Sequence, residues 1–213
     1  MFISIVRIIF RYFVFIFIYP TKVYGIENIP DDGAAIICSN HLTYLDVFLL
    51  GYKPKRLINW LAKEELFSHK PVAWFIRKFG AIPVYRSNAL SSAPAVMSAL
   101  KVLGSGELLG IFPEGERVRK KKPDQIRIRM GIARIGHKSG VPIIPARIIG
   151  KIKPFHKLKV VFDKPFYVDD IIKKLQKDAG KGEQNQEISK QIYEEAAKLI
   201  MKRVYSIGDK ETV

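Results

Sequence analysis

The chain has 213 residues, 48% of them hydrophobic and 26% charged, which is typical of a folded domain and excludes a disordered chain. Thirty-six basic residues oppose 20 acidic ones, a net charge of +16, and this excess predicts an anionic partner such as nucleic acid, anionic lipid or a phosphorylated ligand. Cys38 is the single cysteine, so an intrachain disulfide is excluded. It is either a small core residue or a reactive thiol.

Residues 1–20 are strongly apolar and aromatic. Ser4, Arg7 and Arg11 follow one another at spacings of three and four, so they share one stripe of a helix. The rest of the helix is apolar, which predicts a helix lying in the membrane interface. Arg7 and Arg11 interrupt any spanning run, and the charge order of a signal peptide is absent. A helix docked on the protein's own core and a short span remain as alternatives.

Beyond Pro20, apolar segments alternate with turn residues and predict alternating strands and helices. The predicted strands are 34–39, 57–62, 81–85, 108–112, 142–149 and 158–162. The predicted helices are 46–51, 71–79, 93–103, 131–138, 171–175 and 188–204. This order predicts a single α/β domain with a mostly parallel central sheet flanked by helices. Ligands of such sheets bind beyond the carboxyl ends of the strands.

The segment Asn40-His41-Leu42-Thr43-Tyr44-Leu45-Asp46 follows the first of these strands. His41 and Asp46 form an HX4D motif, and on an ideal helix they lie roughly 140° apart. They meet only if His41 is in the loop and Asp46 in the first turn of the next helix. Asp46 then holds one imidazole nitrogen, and the other can take a proton. Because no serine or cysteine nucleophile motif is nearby, this pattern predicts deprotonation of a substrate hydroxyl. A chance histidine and aspartate would look the same.

Two further strand ends carry candidate binding residues. Arg86 follows the strand at 81–85, and arginine suits bidentate phosphate capture. Phe112-Pro113-Glu114-Gly115-Glu116-Arg117 places a carboxylate, a glycine and an arginine after the strand at 108–112. Glycine there lets backbone approach a ligand closely. Taken alone, Arg86 is better explained as a surface arginine at the start of a loop.

Four segments, taken in order, resemble the glycerolipid acyltransferases, and among them the 1-acylglycerol-3-phosphate acyltransferases. They are the histidine–aspartate segment, the segment ending at Arg86, the segment 112–117 and the proline-framed strand 141–146. The resemblance covers about residues 22–168. We therefore expect a membrane-associating helix at 1–20, an acyltransferase core of glycerolipid acyltransferase type at 21–168, and a carboxy-terminal helical extension at 169–213 that packs on the core.

The resemblance implies an O-acyltransferase that moves a fatty acyl group from acyl-CoA or acyl-carrier protein to the sn-2 hydroxyl of 1-acylglycerol 3-phosphate, giving phosphatidic acid. It implies His41 as general base and Asp46 as its orienter, with no cofactor and no metal. The implied substrate-binding residues are Asn40, Arg86, Glu114, Gly115 and Arg117. The implied partners are a membrane lipid acceptor, the acyl donor and an anionic membrane surface, not nucleic acid. We expect a peripheral or monotopic protein on the cytoplasmic face of the cell membrane.

Three departures from the family pattern leave the acceptor open. Glu116 and Val118 stand where the family usually has threonine and serine, and Tyr85 stands where aspartate is frequent. A carboxylate at 116 weakens phosphate binding unless it points away or pairs with a basic residue. The same chemistry on glycerol 3-phosphate, a lysophospholipid or an aminolipid is therefore the alternative.

Two competing interpretations belong to other functional classes. A nucleic-acid-binding module fits the net charge, but no nucleic-acid motif is recognisable. A non-catalytic membrane scaffold fits the amino terminus, but the histidine–aspartate pair is intact. The basic run is either a solvated loop or a patch for anionic headgroups, CoA phosphates or acidic carrier protein; it comprises Arg117, Arg119, Lys120, Lys121, Lys122, Arg127 and Arg129. The positive charge continues further along the chain at Lys151, Lys153, Lys157 and Lys159. The alternation of lysines with apolar residues around Lys159 predicts the solvent face of an edge strand.

Overall fold

The computed structural model describes residues 18–84, 93–118, 125–179 and 188–208. Within these ranges the strands form one sheet in the order β1-β7-β6-β2-β5-β3-β4. The strands are β1 (Thr21–Tyr24), β2 (Ala35–Ser39), β3 (Ile58–Lys63), β4 (Ala81–Val84), β5 (Leu108–Ile111), β6 (Ile143–Ile149) and β7 (Leu158–Phe162). The five strands from β6 to β4 run parallel, whereas β7 is antiparallel to β6 and β1 is parallel to β7.

The helices cover both faces of this sheet. They are α1 (Asp46–Gly51), α2 (Lys70–Lys78), α3 (Ala93–Gly104), α4 (Gly131–Ser139), α5 (Val168–Asp178) and α6 (Lys190–Ser206). The helices α3 to α6 pack against one another and share one hydrophobic core with one sheet face. Residues of α1 join the core on the opposite face. The predicted α/β class with a mostly parallel central sheet is confirmed.

β2 lies at the centre of the sheet and is buried on both faces, which explains its uninterrupted apolar run. Ile36 and Cys38 face the core that contains α3 to α6, whereas Ala35 and Ile37 face the core that contains Leu49 of α1. Burial raises the pKa of the Cys38 thiol, with a smaller contribution from the charge of Glu114. Cys38 is therefore a core residue that stays protonated.

β1 was not predicted, because its four residues carry no apolar run and alternate between half-buried and exposed. It pairs with β7 at the edge of the sheet. The prediction that the alternation around Lys159 marks an edge strand is therefore wrong, since β7 has a partner on each side. Lys159 nevertheless points to solvent between buried Leu158 and Val160.

Several predicted features lie outside the described residues. They include most of the helix predicted at 1–20, Tyr85 and Arg86, and the basic positions 119–122. Among the helices that are described, none is long and apolar enough to cross a membrane. At the other end of the chain, α6 buries one side among the core residues, including Ala196, Ile200 and Val204.

Candidate active site

His41 and Asp46 meet as the spacing predicted. His41 lies in the loop after β2, and Asp46 is the first residue of α1. Nδ1 of His41 lies 2.7 Å from Oδ2 of Asp46, so an ionised carboxylate accepts the Nδ1–H and leaves the lone pair on Nε2. The Asp46 side chain is fully buried, whereas 19% of the His41 side chain is exposed. The orienting group is shielded, and the imidazole stays accessible.

The loop between the two residues wraps around the Asp46 carboxylate. The backbone N–H groups of Leu42 and Thr43 donate to Oδ2, at 2.5 Å and 2.8 Å from their nitrogens. The Thr43 hydroxyl donates to Oδ1 at 3.0 Å. These bonds compensate the cost of burying the charge. They also explain the spacing, because four intervening residues let the chain turn around its own carboxylate.

The His41 ring rests on a stack of aromatic rings. Phe112 stacks under His41 with ring centroids 4.2 Å apart, and Trp60 stacks under Phe112 at 4.8 Å. Trp60 lies opposite Gly110 in the sheet, and a Cβ at Gly110 would come within 2.3 Å of the indole. Glycine at 110 therefore makes room for the indole, and the stack fixes the plane of the imidazole.

Residues 40–45, between β2 and α1, form the loop that carries His41, and we call it the histidine loop. Glu114 is buried beneath this loop, with 1% of its surface exposed. Its Oε2 accepts the backbone N–H of His41 at 2.6 Å, and its Oε1 accepts the hydroxyl of Tyr205 in α6. Burial raises its pKa to about 7; the two hydrogen bonds oppose this shift, and the Asp46 charge adds to it. Both carboxylate oxygens thus bind protein groups. The prediction that Glu114 binds substrate stays a prediction, whereas its contacts hold the backbone of His41.

Asn40 is also held by the protein itself. Its side-chain amide donates to the carbonyl of Ile148 at 3.1 Å and accepts the Ile148 N–H at 2.9 Å. Asn40 therefore extends the pairing of β2 with β6 past the end of β2 and fixes where the histidine loop leaves the sheet. A substrate contact of Asn40 stays a prediction.

The segment after Glu114 returns to the histidine. The N–H of Val118 donates to the carbonyl of His41 at 2.8 Å. The adjacent Arg117 is exposed, and its guanidinium carbon lies 3.6 Å from the centroid of the Tyr44 ring. Gly115 has a φ of 66°, a conformation that suits glycine. The segment therefore places a cation over Tyr44, in the loop that also carries His41.

Arg129 adds a second guanidinium under Gly115. A Cβ at Gly115 would lie 3.4 Å from Cγ and Nε of Arg129. The Nε atom is buried and has no hydrogen-bond partner among the residues that the structure describes. A buried donor without a partner is costly. Arg129 was predicted only as part of the basic run.

A cavity of about 420 Å³ opens beside the histidine loop. It is lined by Leu42 and by residues 150–153, which follow β6. β2 and β6 are parallel neighbours, so both lining segments leave the sheet at the same edge. Space for a ligand is therefore present beside Leu42, the residue that follows His41.

The sequence pointed to the residues that carry charge but missed those that support them. Phe112 belongs to the segment 112–117, but the sequence predicted no role for it. Trp60 was predicted only as part of a strand. Tyr205 lies 91 residues from Glu114, and no local pattern links the two. Arg86 lies outside the described ranges, so its prediction stays open.

Comparison with known proteins identifies the family of this chain. A model of the acyltransferase family matches residues 20–149. The 1-acyl-sn-glycerol-3-phosphate acyltransferase of Bacillus subtilis is 32% identical over 156 residues, 70% of this chain and 75% of that protein. The protein of the same name from Borreliella burgdorferi is 32% identical over 124 residues, 58% of this chain and 49% of that protein.

A solved structure shares the fold. The crystal structure of the 1-acyl-sn-glycerophosphate acyltransferase PlsC from Thermotoga maritima aligns with a TM-score of 0.62 and 23% sequence identity, covering 99% of this chain and 81% of that chain. The family match spans both strand-end segments that meet at His41. The chain therefore belongs to the acyltransferase family and is an O-acyltransferase.

Proposed function

We propose that this enzyme acylates the sn-2 hydroxyl of 1-acylglycerol 3-phosphate and so forms phosphatidic acid for phospholipid synthesis. The observation that carries the proposal is the His41–Asp46 pair with Arg117 beside it at the carboxyl edge of the sheet. The names of the relatives from Bacillus subtilis and Borreliella burgdorferi support the same acceptor. The donor is a thioester of CoA or of acyl-carrier protein.

The chemistry is a single displacement at the thioester carbonyl. Nε2 of His41 takes the proton of the acceptor hydroxyl while the hydroxyl oxygen attacks the carbonyl carbon of the thioester. Asp46 keeps the ring in the required tautomer and stabilises the imidazolium. The C–S bond then breaks, and the imidazolium returns the proton to the departing thiolate. The products are an ester and a free thiol, and His41 ends in its starting state.

Arginine side chains supply the positive charge for the acceptor's phosphate. Arg117 is exposed beside the histidine loop, and the buried Nε of Arg129, close to Gly115, has no hydrogen-bond partner within the described part of the chain. Charge-assisted hydrogen bonds from guanidinium to phosphate are strong and geometrically specific. Arg86 is a further proposed contributor. Glu116 is exposed, which lets its carboxylate point away from a bound phosphate.

The membrane supplies the acceptor, because removing a lipid chain from a bilayer costs about 0.8 kcal/mol per CH₂. We propose that residues 1–20 hold the enzyme in the membrane interface on the cytoplasmic side. Basic residues near the surface then add about 1 kcal/mol each on anionic membranes.

The test is acyl transfer by the purified protein, followed by mass spectrometry of the products. Parallel reactions contain acyl-CoA or acyl-carrier protein as donor, and lysophosphatidic acid, glycerol 3-phosphate, a lysophospholipid or an aminolipid as acceptor. We expect phosphatidic acid to dominate. Equal transfer to an acceptor without a phosphate monoester would contradict the acceptor assignment.

Arg117→Ala sharpens the test, and Arg134→Ala is its control. Arg134 also lies over a tyrosine ring, that of Tyr193, with 5.6 Å between guanidinium carbon and ring centroid, but it belongs to α4 on the helical face. Loss of a charge-assisted contact should weaken apparent binding of lysophosphatidic acid by roughly 1.5–3 kcal/mol in Arg117→Ala. Arg134→Ala should leave it unchanged.

A further inference from the structure

The loop between β6 and β7 carries the most exposed large apolar side chain among the described residues. The side chain of Phe155 is 78% exposed. The loop spans residues 150–157, and we call it the β6–β7 loop. Its exposed lysines are Lys151, Lys153 and Lys157, and residues 150–162 contain no acidic residue. An exposed aromatic ring surrounded by lysines is the side-chain combination that binds an anionic bilayer interface.

Phe155 occupies a backbone position that suits glycine. The N–H of His156 donates to the carbonyl of Lys153 at 3.2 Å and closes a β-turn with Pro154 in its second position. Phe155 fills the third position with a φ of 64°, and no other non-glycine residue in the described part of the chain has a positive φ. Proline followed by a positive φ is the type II pattern, which normally takes glycine. A non-glycine residue held at a positive φ at a loop tip supports a function for its side chain.

The β6–β7 loop lies at the same edge of the sheet as His41. β6 is parallel to β2, and the side chain of Asn40 binds Ile148 near the end of β6. The loop therefore begins beside the histidine loop, and the cavity lined by Leu42 and residues 150–153 separates the two. A bilayer that meets Phe155 therefore meets the edge of the sheet at which His41 lies.

The amino-terminal segment reaches the described structure at this same loop. The N–H of Phe155 donates to the carbonyl of Ile18 at 2.6 Å, and the N–H of Leu158 donates to the carbonyl of Pro20 at 2.9 Å. Ile18, where the described part of the chain begins, is thus bonded directly to the loop that exposes Phe155.

We propose that the β6–β7 loop is a second membrane contact, in which Phe155 enters the interface of an anionic bilayer while Lys151, Lys153 and Lys157 contact lipid phosphates. This contact turns the carboxyl edge of the sheet towards the bilayer. A lipid acceptor can then reach His41 without leaving the membrane surface.

The first test measures which edge of the protein meets the bilayer. Phe155→Cys is labelled with an environment-sensitive fluorophore in the full chain, and Cys38 does not react because it is fully buried. Tyr167→Cys is the matched control: Tyr167 is 51% exposed and follows Phe166, which pairs with the first residue of β6 at the opposite edge. On phosphatidylcholine vesicles containing phosphatidylglycerol, we expect a blue shift at position 155 and none at position 167. No shift at 155, or equal shifts at both positions, would overturn the proposal.

The second test separates membrane contact from stability. Phe155→Gly places the favoured residue at the positive φ, so the variant should melt at the same temperature as the parent chain or higher. Its partition onto the anionic vesicles should nevertheless fall roughly tenfold, the low end of what burial of a phenylalanine is worth. Lys151→Gln and Lys153→Gln should each lower it by roughly fivefold, and only on anionic vesicles.

Unchanged vesicle binding by Phe155→Gly would show that Phe155 makes no membrane contact and would overturn the proposal. Binding is measured without substrate, so such a failure would leave the proposed acyl transfer untouched. Conversely, if Phe155→Gly transfers acyl groups normally to a short-chain soluble acceptor and poorly to a vesicle-borne one, the loop acts through membrane contact.

Discussion

Two histidine–aspartate pairs in the described part of this protein have almost the same distance between imidazole nitrogen and carboxylate oxygen. Nδ1 of His41 lies 2.7 Å from Oδ2 of Asp46, and Nδ1 of His137 lies 2.6 Å from Oδ1 of Asp169. The surroundings differ. Asp46 is fully buried, whereas 45% of the Asp169 side chain and 35% of the His137 side chain are exposed. Distance alone therefore does not identify the candidate base.

The environment of each pair accounts for the difference. Backbone N–H groups and a threonine hydroxyl surround the Asp46 carboxylate, and Phe112 fixes the plane of the His41 ring. The second pair links the end of α4 to the start of α5 on the helical side. An exposed pair of this kind contributes little to stability. Preorganisation and position at the carboxyl edge distinguish a candidate active site from a surface contact.

The largest expected effect is the loss of the base. His41→Ala should reduce acyl transfer to background, because no other group takes the hydroxyl proton in the proposed reaction. The measurement is the rate of ester formation, with circular dichroism to establish folding. His137→Ala is the matched control and should retain the parental rate. A folded His41→Ala protein with near-normal turnover would contradict the mechanism.

Asp46→Asn should have the next largest effect. The amide keeps the size of the side chain but does not hold the required tautomer or stabilise the imidazolium, so the rate should fall by roughly 10²–10⁴-fold. The equivalent change in the exposed pair, Asp169→Asn, should leave the rate unchanged. Similar losses in both variants would mean that the two pairs do not differ in the way proposed here.

Glu114→Gln tests the buried carboxyl beneath the first pair. Its pKa is raised from 4.5 to about 7, so the folded state holds the proton more tightly than the unfolded state does. The contribution of the protonated Glu114 carboxyl to the stability of the parent protein is therefore complete below pH 4.5, and it is lost as the pH rises to about 7. The variant lacks this titration, so its free energy of unfolding relative to the parent should rise across that window by on the order of 3 kcal/mol. Urea unfolding of both proteins at several pH values measures this difference in free energy of unfolding. If the difference does not change between pH 4.5 and 7, the Glu114 carboxyl does not titrate in that window.

Tyr205→Phe should have a smaller effect. Burial raises the pKa of the Tyr205 phenol, so the hydroxyl stays protonated and donates to Glu114. Its removal should cost about 1 kcal/mol of stability and raise the pKa of Glu114, because this hydrogen bond lowers it. The pH at which stability is lost should then move upward in urea unfolding. Tyr193→Phe on the same helix is the control, and an unchanged profile in Tyr205→Phe would exclude a positioning role.

The smallest expected effect belongs to the exposed pair itself. His137→Ala should lower the free energy of unfolding by less than about 1 kcal/mol, since both partners remain hydrated. Urea unfolding at low and high salt measures the loss. A cost as large as that of a buried ion pair would show that the helical side depends on this contact.

Local patterns were sufficient for most of the fold. The limits predicted for β7 and α1 match the structure, because apolar runs and turn residues act within a few positions. β1 escaped prediction because its half-exposed residues form a strand only by pairing with β7. The antiparallel direction of β7 also depends on long-range pairing.

The sequence by itself determined the α/β class, the candidate base and its orienter, because both depend on local periodicity and on a spacing of five positions. Only the tertiary structure decided what supports them: Phe112 under the ring, and Glu114 and Tyr205 under the backbone of His41. It also decided that the loop carrying Phe155 lies beside the histidine loop. These residues are far apart in sequence and become neighbours only when parallel strands bring their carboxyl ends to one edge.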